Sequence, residues 1–304
     1  MTRLAIEHAA VNLAQGFPDF PPPPEIIAAA HAALDRGENQ YTVTWGIPPL
    51  REAIGAKMKR RYGLDYAPDR HIAVTCGVTE AIVAAVMAVV DPGDEVIIVE
   101  PFHENYLPAV RFAGGTPVYF ALEPPHYHLD PERLRRAFGK RTRAILLNSP
   151  HNPSGRVFDR EELAGVARLC QEFDAIAITD EIYEHILYDG RAHLPIASLD
   201  GMQERTITIG GFGKTFAVTG WRLGYACALE PLAEELVRDG ALRDRGPLEI
   251  RVEAIEQARP PRRLRLARPE AANPGFAKQV IAGEHLVGAF AGEHHGHAGL
   301  AHHP

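Results

Sequence analysis

Between Ile72 and Ala228 the chain alternates, for the most part, between short apolar runs and helix-like stretches. The runs are Ile72–Thr75, Val96–Val99, Pro117–Phe120, Ala144–Asn148, Ala175–Thr179, Thr206–Ile209 and Leu223–Cys227. They are nearly continuous in apolar character rather than alternating with polar residues, the pattern of strands covered on both faces. Helices are predicted over Thr79–Val90, Glu104–Phe112, Pro131–Phe138 and Arg160–Phe173, the last preceded by Asp159, a good N-cap residue. The interleaving predicts an α/β fold, a mostly parallel seven-stranded sheet with helices on both faces. In such sheets ligands bind beyond the carboxyl ends of the strands.

The flanks read differently. Phe17–Pro24 is a proline-rich arm that cannot be an interior strand. Helical stretches follow at Glu25–Asp35 and, after Gly46-Ile47-Pro48-Pro49, at Leu50–Arg61. From about Val237 the periodicity fades: Arg259–Arg268 is basic and broken by proline, and Gly283–Pro304 is rich in Gly, Ala and His. The expected division is an N-terminal arm over 1–20, a large domain over 21–236 and an atypical, poorly ordered tail over 237–304. His294, His295, His297, His302 and His303 cluster in that tail without a carboxylate or cysteine at ligand spacing, so no metal site is expected there.

Composition narrows the function classes. The apolar share of 46% and charged share of 23% are those of an ordinary globular protein. A net charge of −7 argues against nucleic acid as the main partner. Cys76, Cys170 and Cys227 are scattered and lack CxxC spacing, which suits reduced thiols in the cytoplasm. The apolar run Ala81–Val90 is too short to span a bilayer, and the N-terminus lacks a signal pattern.

Candidate chemistry gathers at the predicted strand ends. Lys214, one of five lysines among the 32 Lys and Arg residues, follows the Thr206–Ile209 run within Gly210-Gly211-Phe212-Gly213. A desolvated lysine loses its proton more readily, and a neutral amine can attack a carbonyl. Asp180 and Tyr183 follow Ala175–Thr179, and Asn152 follows Ala144–Asn148. Asp180 suits a cationic ring nitrogen, but a capping role is an equal reading, and for Asn152 taken alone a plain tight turn is the favoured one. Arg222 offers a fork for a phosphate, or a strand-edge charge. Gly77-Val78-Thr79 opens a helix whose free N–H groups suit the same anion.

This set, in this order, resembles the class I/II aminotransferases of pyridoxal-phosphate fold type I, in particular their kynurenine and methionine aminotransferase-like branch. The likeness rests on Asn12–Phe20, Asn39-Gln40-Tyr41, Gly46–Arg51, Pro101–Tyr106, Asn148–Gly155, Asp180–Tyr183 and Gly213–Gly224. It implies pyridoxal 5′-phosphate as cofactor and ping-pong transamination between an L-amino acid and a 2-oxo acid through a Lys214 aldimine. By the same resemblance Asp180 pairs with the ring nitrogen, while Asn152 and Tyr183 bond the phenolic oxygen. His103 takes the ring-stacking position, and Arg222 with the backbone at Gly77, Val78 and Thr79 holds the phosphate. Gly16 and Asn152 contact substrate, and Tyr41 is donated across a homodimer interface. A cis Asn152-Pro153 bond is also implied.

The chain departs from the family pattern in places. Gly211 stands where relatives commonly carry a phosphate-binding serine. No C-terminal small domain with its carboxylate-clamping arginine is recognisable after about Leu236, as in a truncated or altered sequence. A cysteine-conjugate β-lyase and a catalytically inactive relative are the alternative readings.

Overall fold

A computed structural model of the chain describes residues 2–12 and 16–238. Its helices are α1 (Thr2–Glu7), α2 (Pro24–Asp35), α3 (Pro48–Tyr62), α4 (Gly77–Val89), α5 (Tyr106–Phe112), α6 (Pro131–Leu134), α7 (Arg160–Phe173) and α8 (Leu232–Arg238). Its strands are β1 (Ile72–Cys76), β2 (Glu95–Glu100), β3 (Thr116–Ala121), β4 (Thr142–Asn148), β5 (Ile176–Asp180), β6 (Thr206–Gly211) and β7 (Leu223–Cys227). The tail histidines and almost all of 237–304 lie outside the described residues.

Local chemistry sets the helix ends. Asp159 accepts from the backbone N–H of Glu161 and Glu162, and Glu162 reaches back to the Asp159 N–H, a reciprocal capping box that starts α7. Pro48 and Pro49 open α3, where a missing N–H costs nothing, and Gly63 closes it in the left-handed conformation.

The seven strands form one sheet in the order β1-β7-β6-β5-β4-β2-β3. All pairs from β6 to β3 are parallel, whereas β7 runs antiparallel to both β1 and β6. This reversal matters for the site. It brings the start of β7, next to Arg222, to the edge where β1, β4, β5 and β6 end. Leu223 is opposite Cys76, and Gly224 is opposite Gly211.

Both faces of the sheet are covered, as the continuous apolar runs require. Ala144 and Leu146 of β4 face a core shared with α4, α5 and α8, while Ile145 and Leu147 face another shared with α7. Each such aliphatic side chain contributes about 1.5–3 kcal/mol by leaving water, so the edge loops rest on a rigid base.

All seven expected strands are present, with ends within two residues of the predicted ones. The predicted helix over Pro131–Phe138 is instead a single turn, α6, followed by a 3-10 turn at Arg135–Ala137. Only Leu134 of α6 is buried, too little apolar surface to hold a longer α-helix. Neither α1, which buries nothing, nor α8 was legible in the apolar pattern.

Candidate active site at the carboxyl edge of the sheet

Asp180 is the last residue of β5 and is buried. Its Oδ2 accepts from Tyr106 Oη at 2.7 Å and its Oδ1 from the Ile182 N–H at 3.2 Å. Burial raises its carboxyl above the usual range, against the pull of these two donors and of His103. Among the described residues no lysine or arginine forms an ion pair with it. The capping reading of Asp180 is thus half met, because Oδ1 serves the turn and Oδ2 does not.

Lys214 lies in the turn after β6, half-buried. Its Nζ is 5.9 Å from the Tyr183 ring centroid and donates to the Gly16 carbonyl oxygen at 2.8 Å. Burial, with the Arg222 guanidinium in support, lowers its pKa. Tyr183 feels Asp180 in turn: burial and that carboxylate both raise its phenol. Lys214, Tyr183 and Asp180 therefore form a continuous group along one edge.

Arg222 has a left-handed backbone (φ 54°), uncommon outside glycine. Its guanidinium lies against Gly77, the first residue of α4. A Cβ on Gly77 would come within 2.6 Å of Arg222 Nη2, and one on Gly224 within 2.5 Å of the Gly77 carbonyl carbon. Both glycines are needed for this close approach. The arrangement sets a cation beside the N-terminal turn of α4, where Val78 and Thr79 follow.

The remaining expected residues are distributed around this group. His103 sits edge-on to Tyr106, with ring centroids 5.8 Å apart, and its Nε2 is 3.2 Å from Asn105 Nδ2. Asn105 Nδ2 also donates to Thr79 Oγ1 at 3.1 Å, tying the loop after β2 to α4. Asn152 follows the end of β4, its N–H donating to Asn148 Oδ1 at 2.6 Å, and its bond to Pro153 is cis. Gly16 comes to the site through its contact with Lys214. Tyr41 is 90% exposed and has no such contact, so this chain alone does not bring it to the group.

Tyr106 is the site residue that the sequence reading missed. It is the first residue of α5, buried, and its hydroxyl is what positions Asp180. A buried tyrosine must place its hydroxyl on a partner, so a tyrosine in the first turn of the helix predicted from Glu104 was the available signal.

No helix among the described residues is long and apolar enough to cross a membrane. The family model for aminotransferases of class I and II matches residues 9–247. The chain is 46% identical over 247 residues to human kynurenine–oxoglutarate transaminase 1, covering 77% of this chain and 58% of that protein. The structure of N-succinyldiaminopimelate aminotransferase from Mycobacterium tuberculosis superposes with a TM-score of 0.77 at 46% identity, covering 79% of this chain and 63% of that one. A methionine aminotransferase of Escherichia coli gives 0.76 at 38% identity, with the same two coverages. The chain thus spans less than two thirds of the length of these relatives. By the family model's match over more than half of its length and by the identity to these relatives, the protein belongs to the aminotransferases of class I and II.

Proposed function

We propose that the chain carries the cofactor-binding part of a pyridoxal 5′-phosphate-dependent aminotransferase, which moves an amino group between an L-amino acid and a 2-oxo acid by a ping-pong route. The observation that carries this reading is the contrast between Asp180 and Lys214. The first is a buried carboxylate held only by neutral donors, and the second is a half-buried amine with a lowered pKa, reached through Tyr183. A carboxylate so placed fits a cationic ring nitrogen, and an amine so placed fits an aldehyde.

Arg222 and the N–H groups of Gly77, Val78 and Thr79 would hold the phosphate. Asn152 and Tyr183 would bond the phenolic oxygen, and His103 would lie against the ring. When bound, the cofactor supplies a reactive aldehyde carbon and an electron-withdrawing ring. Asp180 would hold a proton at the ring nitrogen. Lys214 would hold the aldehyde carbon and would carry a proton between substrate Cα and the cofactor C4′ atom. The Gly16 backbone N–H would meet the substrate carboxylate. A second copy of the chain would cover exposed Tyr41, Val43, Phe17 and Phe20, and would put its own Tyr41 on the phosphate.

An absorbance titration of the purified chain with pyridoxal phosphate tests this reading. A visible band is expected for the wild type and none for Lys214→Ala; identical spectra would remove Lys214 from the role. A panel including kynurenine, methionine and N-succinyldiaminopimelate, the compounds in the relatives' names, then reads amino transfer to a 2-oxo acid. Release of pyruvate and ammonia from an S-substituted cysteine without an acceptor would instead indicate β-elimination.

A further inference from the structure

Directly after Tyr183 comes Glu184, whose side chain is buried. It collects three donors from two other elements. Lys57 Nζ lies 2.6 and 2.7 Å from its two oxygens, Tyr62 Oη 2.6 Å from Oε2 and Tyr225 Oη 3.2 Å from Oε1. Lys57 also donates to Tyr225 Oη at 2.9 Å, and His185 Nε2 stands 3.7 Å from Oε1. Lys57 and Tyr62 belong to α3 and Tyr225 to β7, so one carboxylate ties three parts of the fold together.

The other end of the same turn is secured in the same way. Glu181 is buried, accepts from Thr179 Oγ1 at 3.0 Å and pairs with His193 Nε2 at 2.8 Å. Within the turn, the Glu184 N–H donates to the Glu181 carbonyl oxygen and the Ile186 N–H to that of Tyr183. Glu181 and Glu184 thus anchor a turn on which Asp180 and Tyr183 serve the site. The network also touches the strand that leads to Lys214: a Cβ on Gly210 of β6 would overlap the Tyr225 hydroxyl.

A buried lysine–glutamate pair is a poor source of net stability, because desolvating both charges offsets their attraction. No step assigned to the site uses it. What it does supply is a defined geometry for the residue next to it. We propose that Glu184 is a positioning residue for Tyr183, held under Lys57, Tyr62 and Tyr225 so that the phenol meets the cofactor's phenolic oxygen. The inference rests on the function proposed above.

The test is the pH midpoint of the visible band of the pyridoxal-phosphate-loaded full chain. Losing a hydrogen bond to a charged oxygen changes proton affinity by about tenfold or more, so Tyr183→Phe should raise the midpoint by about one unit. Glu184→Gln should raise it in the same direction by roughly half a unit, and the Tyr183→Phe/Glu184→Gln double variant no further than Tyr183→Phe alone. A purely structural Glu184 would lower the melting temperature yet leave the midpoint at the wild-type value, which overturns the proposal. Additive shifts in the double variant overturn it as well. Should Glu184→Gln fail to fold, Tyr62→Phe removes one donor and no charge; it should shift the midpoint upward, and no shift refutes the proposal. If the wild type shows no band, both readings fall. If Tyr183→Phe moves the midpoint and the Glu184 and Tyr62 variants do not, only this inference falls.

Discussion

Asp180 and Glu184 are two buried carboxylates on one turn, and their surroundings could hardly differ more. Glu184 has an ammonium and two hydroxyls around it; burial pushes its carboxyl up, but Lys57, Tyr62 and His185 together hold it below the usual range. Asp180 has a hydroxyl and a backbone N–H, and burial prevails over both, leaving its carboxyl raised. The protein supplies Glu184 with a counter-charge from within and leaves Asp180 without one among the described residues. A buried acid that lacks a cation is costly by itself. That cost is tolerated where a ligand brings the cation, which is why the site is read at Asp180 and not at the better-bonded Glu184.

The largest effect should come from removing the counter-charge. Lys57→Met leaves Glu184 buried beside Tyr62, Tyr225 and His185 without its ammonium partner, and should cost about 3–5 kcal/mol of stability in urea unfolding. Pairing it with Glu184→Leu should recover most of that loss, because no buried charge then remains. The pH dependence has a definite sign. Since the folded pKa of Glu184 is lowered from 4.5, its contribution is present above that value and is lost as pH falls through the folded value. Lys57→Met should therefore show a shallower loss on acidification than the wild type. Equal slopes would mean that Glu184 is not held ionised by Lys57.

Asp180 should behave in the opposite sense. Its folded pKa is raised from 3.8, so the stability linked to it is full below that value and declines as pH rises through the folded pKa. Asp180→Asn keeps an acceptor for Tyr106 but carries no charge. Without cofactor it should be more stable than the wild type at neutral pH, with the gap closing as pH falls toward 4. Its transamination rate should fall by about 10²–10³-fold, the scale of losing one fixed electrostatic partner of the reacting group. Stability gained together with activity lost would mark Asp180 as a functional carboxylate. A less stable variant at neutral pH would show that Tyr106 and the Ile182 N–H more than offset burial.

The two carboxylates also differ in how they could be read from the chain. Asp180 was visible because it ends a continuous apolar run, and in a parallel sheet such an end is a ligand edge. Lys214, Asn152 and Arg222 were visible for the same reason, although the placement of Arg222 depends on β7 running antiparallel, which no local pattern encodes. The partners were not visible. Lys57 sits on α3 among Lys59, Arg60 and Arg61 and resembles any solvated lysine until the chain has brought Glu184 to it. Tyr106 reaches Asp180 across 74 residues of sequence, and Lys57 reaches Glu184 across 127. Hydrophobic period reports which face of an element is covered, but not which polar group waits on the covering element. Helix ends were legible where a cap marked them, as at Asp159, and less so where none did, as at α8.

Gly211 gives the smallest effect and refines the same contrast, since it adjoins the turn from the side of Lys214. The family resemblance implies a phosphate-binding serine there, so introducing one would be expected to add a phosphate contact. The packing argues otherwise. A Cβ on Gly211 would come 2.8 Å from Ile182 Cδ1, 2.9 Å from Val78 Cγ2 and 3.1 Å from the Leu223 carbonyl oxygen. Ile182 can swing its terminal methyl aside, but Val78 is stiff at χ1 and the carbonyl belongs to a paired strand. Gly211→Ser should therefore cost about 1–3 kcal/mol in urea unfolding through overpacking and leave pyridoxal phosphate affinity no tighter than wild type. The disturbance would fall on Ile182, between Asp180 and Tyr183, so the band midpoint should also move. Tighter binding with unchanged stability would mean that the turn yields without cost, and the rigidity ascribed to the Glu181 and Glu184 anchors would then be overstated.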